Sequence, residues 1–163
     1  MTTIYLSLGS NIGDRAANIA RAISALAQHD VRVTRQSSLY ETEPVDFRDQ
    51  DWFLNCVVEA QTDLAPEELI DALLQIERAL GRHRLVPKGP RLIDIDILLY
   101  GPSVVRTPEL EVPHPRMAER RFVLVPFNEI APDVRHPALN KTIAELLGAT
   151  LDRSEVRKVV SEH

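Results

Sequence analysis

The stretch Lys88-Gly89-Pro90-Arg91-Leu92-Ile93-Asp94-Ile95-Asp96-Ile97-Leu98-Leu99-Tyr100-Gly101 decides how this chain folds. From Leu92 to Tyr100 the residues are almost all apolar and branched, the composition of a buried strand. Asp94 and Asp96 interrupt it. Side chains two apart on a strand share a face, so both carboxylates project together, their Cα atoms about 6.5 Å apart. Ile93, Ile95 and Ile97 fill the opposite side. Two unpaired carboxylates against a core are costly and repel each other. In the bland resolution, one Asp pairs with an arginine and the other faces water. In the functional one, a divalent cation sits between them. Oxygen-only ligands favour Mg2+ or Mn2+ over zinc, and two carboxylates leave room for water and phosphate oxygens. Arg91, three residues before Asp94, suits phosphate oxygens. The local pattern points to phosphoryl-type chemistry.

Upstream, Thr3 to Leu8 reads as a short strand, and Gly9-Ser10-Asn11-Ile12-Gly13-Asp14 as a turn with Ser10, Asn11 and Asp14 as candidate helix caps. Gly9 and Gly13 suit a tight strand-to-helix turn better than a phosphate cradle, since no dinucleotide or P-loop fingerprint accompanies them. Ala16, Ile19, Ala20, Ile23, Leu26 and Ala27 recur at helical spacing over about 14–28. Val31 to Thr42 reads as a second strand, and 43–51 as a polar loop whose Phe47, with Trp52 just beyond, suggests a ligand cover. Phe53 to Thr62 alternates as a third strand, with Asn55 set among apolar residues where it could satisfy backbone groups or read a heterocycle's edge. Pro66 opens a helix over about 66–80, acids follow it, and Gly81 suits its end. Residues 82–90 form a basic loop.

This order, β-α-β-β-α-β, predicts an α+β fold with a ferredoxin-like βαββαβ core. Two helices would pack on one face of an antiparallel sheet, with Asp94 and Asp96 on the face away from them. A C-terminal extension follows. Residues 107–116 are proline-punctuated and extended, 117–120 form one helical turn, and Phe122 to Val125 is strand-like and ended by Pro126. A helix over about Thr142 to Leu147 and an extended segment at Val156 to Val160 complete the chain.

The 163 residues suit one domain spanning 1–163, with 44% apolar and 26% charged residues. Cys56 is the single cysteine, which excludes an intrachain disulfide and a thiolate zinc cluster. The opening residues read as a strand and not a signal peptide, and no long apolar run follows, so a cytoplasmic protein with no membrane partner is expected. A net charge of −5 argues against nucleic acid as a partner. Basic residues nevertheless cluster on both sides of the Asp pair (Arg82, Arg84, Lys88, Arg91; Arg116, Arg120, Arg121), which suits a small polyanionic ligand. A monomer is expected.

Four separated motifs carry a family resemblance spanning roughly residues 4–135. Gly89 to Gly101 resembles the signature of the 6-hydroxymethyl-7,8-dihydropterin pyrophosphokinases of folate biosynthesis. Leu8-Gly9-Ser10-Asn11-Ile12-Gly13-Asp14-Arg15 is similar to that family's first strand and turn, and Val112 to Pro126 to its third block. Tyr40 to Pro44, Phe53 to Asn55 and Glu77 to Arg84 also fall in the family's order. The resemblance implies transfer of pyrophosphate from ATP to the pterin's hydroxymethyl oxygen, with release of AMP. It implies two Mg2+ ions held by Asp94 and Asp96, catalytic roles for Arg82, Arg91, Asp94 and Asp96, and ATP contacts from Glu77, Arg82, Arg84, Arg91, Ile97, His114 and Arg120. It further implies a pterin sandwiched between Phe53 and Phe122 and read by Asn55, with groups near Thr42, Pro44 and Val45 assisting. Lys88, Glu109, Glu111 and Pro115 depart from residues that some members carry, and no contact is carried over to them.

Two other readings compete on residues alone. A metal-dependent phosphohydrolase would also use an Asp-x-Asp pair with arginines, but no further carboxylate or histidine cluster lies near the pair. A ferredoxin-like RNA-binding sheet needs exposed aromatics and a basic face; 5% aromatic residues and a negative charge oppose it.

Overall fold

The strand that begins the chain, β1 (Thr2–Ser10), is the axis of the sheet, because it pairs antiparallel with β4 (Phe53–Thr62) on one side and β5 (Asp94–Tyr100) on the other. The computed structural model describes residues 1–44, 51–81 and 92–159. Beyond β4 lie β2 (Val31–Gln36) and β3 (Tyr40–Thr42), and β3 pairs in turn with β8 (Val156–Lys158). The sheet order is β5-β1-β4-β3-β8, with β2 sharing the same edge of β4. Helices α1 (Arg15–Gln28) and α2 (Pro66–Ala79) complete the βαββαβ unit in the expected ferredoxin-like order. The Asp14 carboxylate accepts the Ala17 N–H at 3.1 Å and caps α1, while Pro66 begins α2 without losing a needed donor.

Both faces of the sheet are used. Ile4, Leu6, Leu8, Cys56, Val58, Ile95 and Ile97 pack against Ile19, Leu26, Leu69 and Ile76 of α1 and α2. On the opposite face, Tyr5, Val57, Leu98 and Leu99 pack against α3 (Arg121–Ile130) and α4 (Ile143–Ala149) of the C-terminal extension. Tyr5 stacks on Phe127 with centroids 4.8 Å apart. A short hairpin, β6 (Val105–Arg106) with β7 (Glu111–Val112), and a 3-10 turn at Met117–Glu119 lead from β5 to α3. Among the described residues no helix is long and apolar enough to cross a membrane.

Two local expectations are corrected. The single strand from Val31 to Thr42 is two strands. At the break, Ser37 Oγ accepts the Val57 N–H at 3.0 Å and the Ser37 N–H donates to the Val57 carbonyl at 2.9 Å, so a side chain stands in for one ladder bond while the chain bends. The strand-like run at Phe122 to Val125 is the first half of α3, with Pro126 inside the helix. Val123, Leu124, Phe127 and Ile130 form a helical stripe buried on the sheet. That burial outweighs the one backbone bond the proline cannot make.

Candidate active site

Strand β5 changes phase within its own length. Ile93, Ile95 and Ile97 face the α1/α2 side, and Asp94 and Asp96 the other, each half-buried. The register with β1 then slips: Leu6 pairs with Ile97 but Tyr5 pairs with Leu99, so Leu98 is an extra, bulged residue. Leu98 and Leu99 both join the cluster under α3. A bulge re-aims side chains in this way, and here it separates the carboxylate half of the face from an apolar half.

Across the sheet from Asp94 the floor carries no side chain. Asp94 pairs with Gly9 and Asp96 with Ser7; on the next strand Gly9 pairs with Asn55. Asp94 and Asn55 are thus two strand spacings apart, about 9.5 Å. Gly9 was expected in a turn; it lies inside β1, and Gly13, with φ 67°, is the turn glycine. A Cβ on Gly9 would stand 2.4 Å from Asn55 Oδ1 and 3.6 Å from a Phe53 ring carbon, so only glycine admits these two side chains above it. The Asn55 amide is held from the other side, where its Nδ2 donates to Thr42 Oγ1 at 2.6 Å. Both residues are buried, so this amide has one orientation. Thr42 pairs with Phe53 and Tyr40 with Asn55, which puts the four on one face, with Pro44 buried just beyond β3.

The outer edge of β5 carries the second half of the arrangement. Glu77 of α2, only 3% exposed, accepts the Ile95 N–H at 2.8 Å and so grips the strand between the two aspartates. Alongside lies a cavity of about 300 Å³ lined by Glu77, Asp96, Ile97 and His114, with Glu109 and Glu111 also in its wall. That volume is at the small end for ligand pockets. His114 is tied to the strand by its N–H, which donates to the Leu98 carbonyl at 2.9 Å. Its Nδ1 accepts the Arg116 N–H at 3.2 Å, so the neutral ring carries its proton on Nε2. Burial, with Arg120 and Arg116 nearby, pushes the imidazole down to about 4 against the opposing pull of Asp94. At neutral pH it is an uncharged donor. The Arg120 guanidinium lies over the Phe122 ring, 5.4 Å from its centroid, and Phe122 packs at the margin of the cluster containing Val57.

Of the sequence-predicted residues, the structure gathers Thr42, Pro44, Phe53 and Asn55 at the β3/β4 end of this face, Asp94 and Asp96 on β5, and Glu77, Ile97 and His114 around the edge cavity. Arg120 and Phe122 stand where α3 begins. Val45, Arg82, Arg84 and Arg91 lie outside the described residues, as do Phe47 and Lys88. Among the described residues no group of three or more His, Cys, Asp or Glu could enclose a metal ion. Two half-buried carboxylates fit a hydrated Mg2+ shared with phosphate oxygens, not a closed protein cage. Sequence reasoning missed Gly9 as a floor, the Leu98 bulge and the grip of Glu77 on Ile95; a buried acid on an otherwise apolar helix face was the available signal for the last.

The family model for 7,8-dihydro-6-hydroxymethylpterin-pyrophosphokinase matches residues 5–132. The chain is 48% identical over 160 residues to the 2-amino-4-hydroxy-6-hydroxymethyldihydropteridine pyrophosphokinase of Methylorubrum extorquens, covering 98% of this chain and 99% of that protein. To the protein of the same name from Bacillus subtilis it is 51% identical over 135 residues, covering 82% and 81%. It is also 42% identical over 149 residues to the folic acid synthesis protein fol1 of Pneumocystis carinii; these are 91% of this chain but 20% of that longer protein. Among solved structures, Plasmodium falciparum HPPK-DHPS matches with a TM-score of 0.72 at 18% identity, over 90% of this chain and 43% of that one, a likeness of fold.

Proposed function

The chain belongs to the 7,8-dihydro-6-hydroxymethylpterin-pyrophosphokinase family, and from that premise we propose that it transfers pyrophosphate from ATP to the hydroxymethyl oxygen of 6-hydroxymethyl-7,8-dihydropterin, releasing AMP, as a step of folate biosynthesis. Residues 1–163 act as one catalytic domain, a cytoplasmic monomer. The observation that carries the reading is the position of Asp96. Its carboxylate shares the open face with Gly9 and Asn55 and also lines the edge cavity, so the acid pair joins two binding regions.

In this reading the nucleotide occupies the edge cavity against Ile97 and His114, and the pterin lies over Gly9 between Phe53 and Phe122. Offset stacking contributes on the order of 1 kcal/mol beyond area burial. Asn55 reads the pterin's amide edge, and its bond to Thr42 keeps the amide from turning; Pro44 and Val45 contribute nearby backbone groups. Asp94 and Asp96 would hold Mg2+, two ions in the family's pattern, and the metal would supply positive charge against the triphosphate during the displacement. The hydroxymethyl oxygen attacks the β-phosphorus, the bond from that phosphorus to the α–β bridging oxygen breaks, and AMP departs with the electron pair. The hydroxyl proton passes toward Asp94, the carboxylate in the same cross-strand row as Asn55. Neutral His114 donates from Nε2 to a nucleotide oxygen. Arg82, Arg84, Arg91 and Arg120 supply positive charge to the phosphates, Arg82 and Arg91 to the group in transit. Glu77 contributes through β5, whose backbone it grips.

The test is to incubate purified protein with ATP, Mg2+ and the pterin and to resolve the products. AMP formed one for one with pterin pyrophosphate is expected. Formation of ADP, or of inorganic phosphate with no pterin product, would refute the proposal and favour a phosphohydrolase.

A further inference from the structure

Residues 150–158 follow the last helix and bury little of their own. Leu151 is 87% exposed, and the contacts of the segment are almost all polar. A tail that served only to cover the core would spend its apolar residues there. This one instead touches, in nine residues, two elements that border the pterin side of the site, α3 and β3.

First, α3 has no side-chain cap of its own, and the tail provides one. Asp152 Oδ2 accepts the Arg121 N–H at 2.8 Å, and the Arg121 Nε–H donates to the Ser154 carbonyl at 3.1 Å. Asp152 Oδ1 accepts from Ser154 N–H at 2.8 Å and from its hydroxyl, which locks the carboxylate in place. Burial raises the Asp152 carboxyl, yet the bonds from Ser154 and Arg121 outweigh it and hold the group below its ordinary range. Arg121 stands between Arg120 and Phe122. Second, β8 pairs with β3, Tyr40 opposite Lys158 and Thr42 opposite Val156, giving a three-residue strand a partner on its outer side. Thr42 is the residue that orients Asn55. The Glu155 N–H donates to Glu43 Oε1 at 2.9 Å and the Glu43 N–H to the Glu155 carbonyl at 3.1 Å, which carries the β3/β8 contact one residue further. Arg157, opposite Glu41, lies on the α1/α2 face of the sheet, where its guanidinium is 4.8 Å from the centroid of the Trp52 ring, away from the pterin side.

We propose that residues 150–158 are a strap that sets the pterin side of the site, with Asp152 its positioning residue for Phe122. The proposal rests on the pterin reading above. The strap acts through α3 and β3, so its loss weakens pterin binding and leaves the edge cavity, bounded by α2, β5 and His114, as it was.

The experiment compares Asp152→Ala, Asp152→Asn and Arg157→Ala with the parent enzyme, varying each substrate in turn and recording melting temperature. Loss of the helix cap predicts a pterin KM raised about fivefold by Asp152→Ala, with a smaller rise in the ATP KM because Arg120 adjoins Arg121. Asp152→Asn keeps an acceptor and recovers most of the difference. Arg157→Ala, on the other face of the sheet, is the control: it shifts the emission of Trp52, the only tryptophan, and leaves both KM values within about twofold. Should Asp152→Ala fail to fold, Asp152→Asn decides, because it keeps only one of the two acceptor oxygens and is expected to raise the pterin KM by a smaller but measurable factor. An unchanged pterin KM in the Asp152 variants, or equal changes for both substrates, overturns the strap. A parent enzyme that makes no pterin-dependent AMP refutes the functional reading instead.

Discussion

Replacing Gly9 with alanine tests the floor of the site with a single methyl group. The added Cβ would stand 2.4 Å from Asn55 Oδ1, about 1 Å inside ordinary van der Waals contact. The amide cannot retreat toward β3, because Thr42 Oγ1 already stands 2.6 Å from Nδ2. It must swing out of its present plane and give up that bond. The lost hydrogen bond costs about 1 kcal/mol, and forcing a methyl into a packed position costs a further 1–3 kcal/mol or so. Part of this appears as stability and part as pterin affinity, since the displaced amide no longer presents its edge over Gly9. Gly9→Ala is therefore expected to lower the melting temperature and to raise the pterin KM by about tenfold or more, with little change in the ATP KM. A double-mutant cycle isolates the cause. In an Asn55→Ala background no amide is present to collide with the methyl, and Gly9→Ala should be close to neutral, leaving a coupling energy of about 1–3 kcal/mol. A Gly9→Ala enzyme with the parent's pterin KM, or a cycle with no coupling, refutes the argument that Gly9 exists to admit Asn55.

Asp96→Asn keeps the shape of the side chain and removes its charge; turnover should fall at least about a hundredfold with the circular dichroism spectrum unchanged, and near-parent turnover would exclude the metal role. Glu77→Ala leaves the Ile95 N–H without its acceptor on a buried edge and should cost about 1–3 kcal/mol in urea unfolding; Glu77→Gln retains an acceptor oxygen and should cost clearly less, so equal losses would deny that the bond to Ile95 matters. His114 sets a pH dependence. Its folded value of about 4 lies below the ordinary 6.5, so between these values the unfolded chain binds a proton that the folded one refuses. The stability it contributes is whole above pH 6.5 and is lost as pH falls toward 4, about 2 kcal/mol between pH 7 and pH 5. In Mg2+-free protein His114→Asn should flatten that slope by this amount, and identical slopes in the two proteins would refute it.

The periodicities of the βαββαβ unit were legible because each element buries one clean face. Ile19, Ala22 and Leu26 stripe α1, Leu69, Leu73 and Ile76 stripe α2, and the alternation of Ile95 and Ile97 with Asp94 and Asp96 announced the side on which the carboxylates lie. The misread segments share a different property: in each, one residue substitutes for a regular backbone feature. Ser37 replaces a ladder bond with its hydroxyl, and nothing in Val31 to Thr42 marks that residue as different from any other polar strand position. Pro126 looked like a stop, yet the stripe of Val123, Leu124, Phe127 and Ile130 runs through it. Gly9 resembled a turn because it opens a Gly-Ser-Asn-Ile-Gly run; its reason for being glycine is Asn55, forty-six positions away by number and adjacent only across the sheet.

The bulge at Leu98 was the least legible feature, and it gives the opening stretch its second function. Had β5 kept one register, Leu98 would follow Asp94 and Asp96 onto the same face, and Leu99 would join the isoleucines on the α1/α2 side. The inserted residue instead sends Leu98 and Leu99 together into the cluster that seats α3. Because a shift of one residue exchanges the two faces of a strand, seven residues can serve a polar site at one end and an apolar support at the other. On the outer edge of the same strand the Leu98 carbonyl accepts the His114 N–H, which holds that residue in the cavity wall. Asp94, Asp96, His114 and the helix that carries Phe122 are therefore positioned by one strand, the carboxylates by its alternation, the histidine by its free edge and the helix by the apolar pair at the bulge.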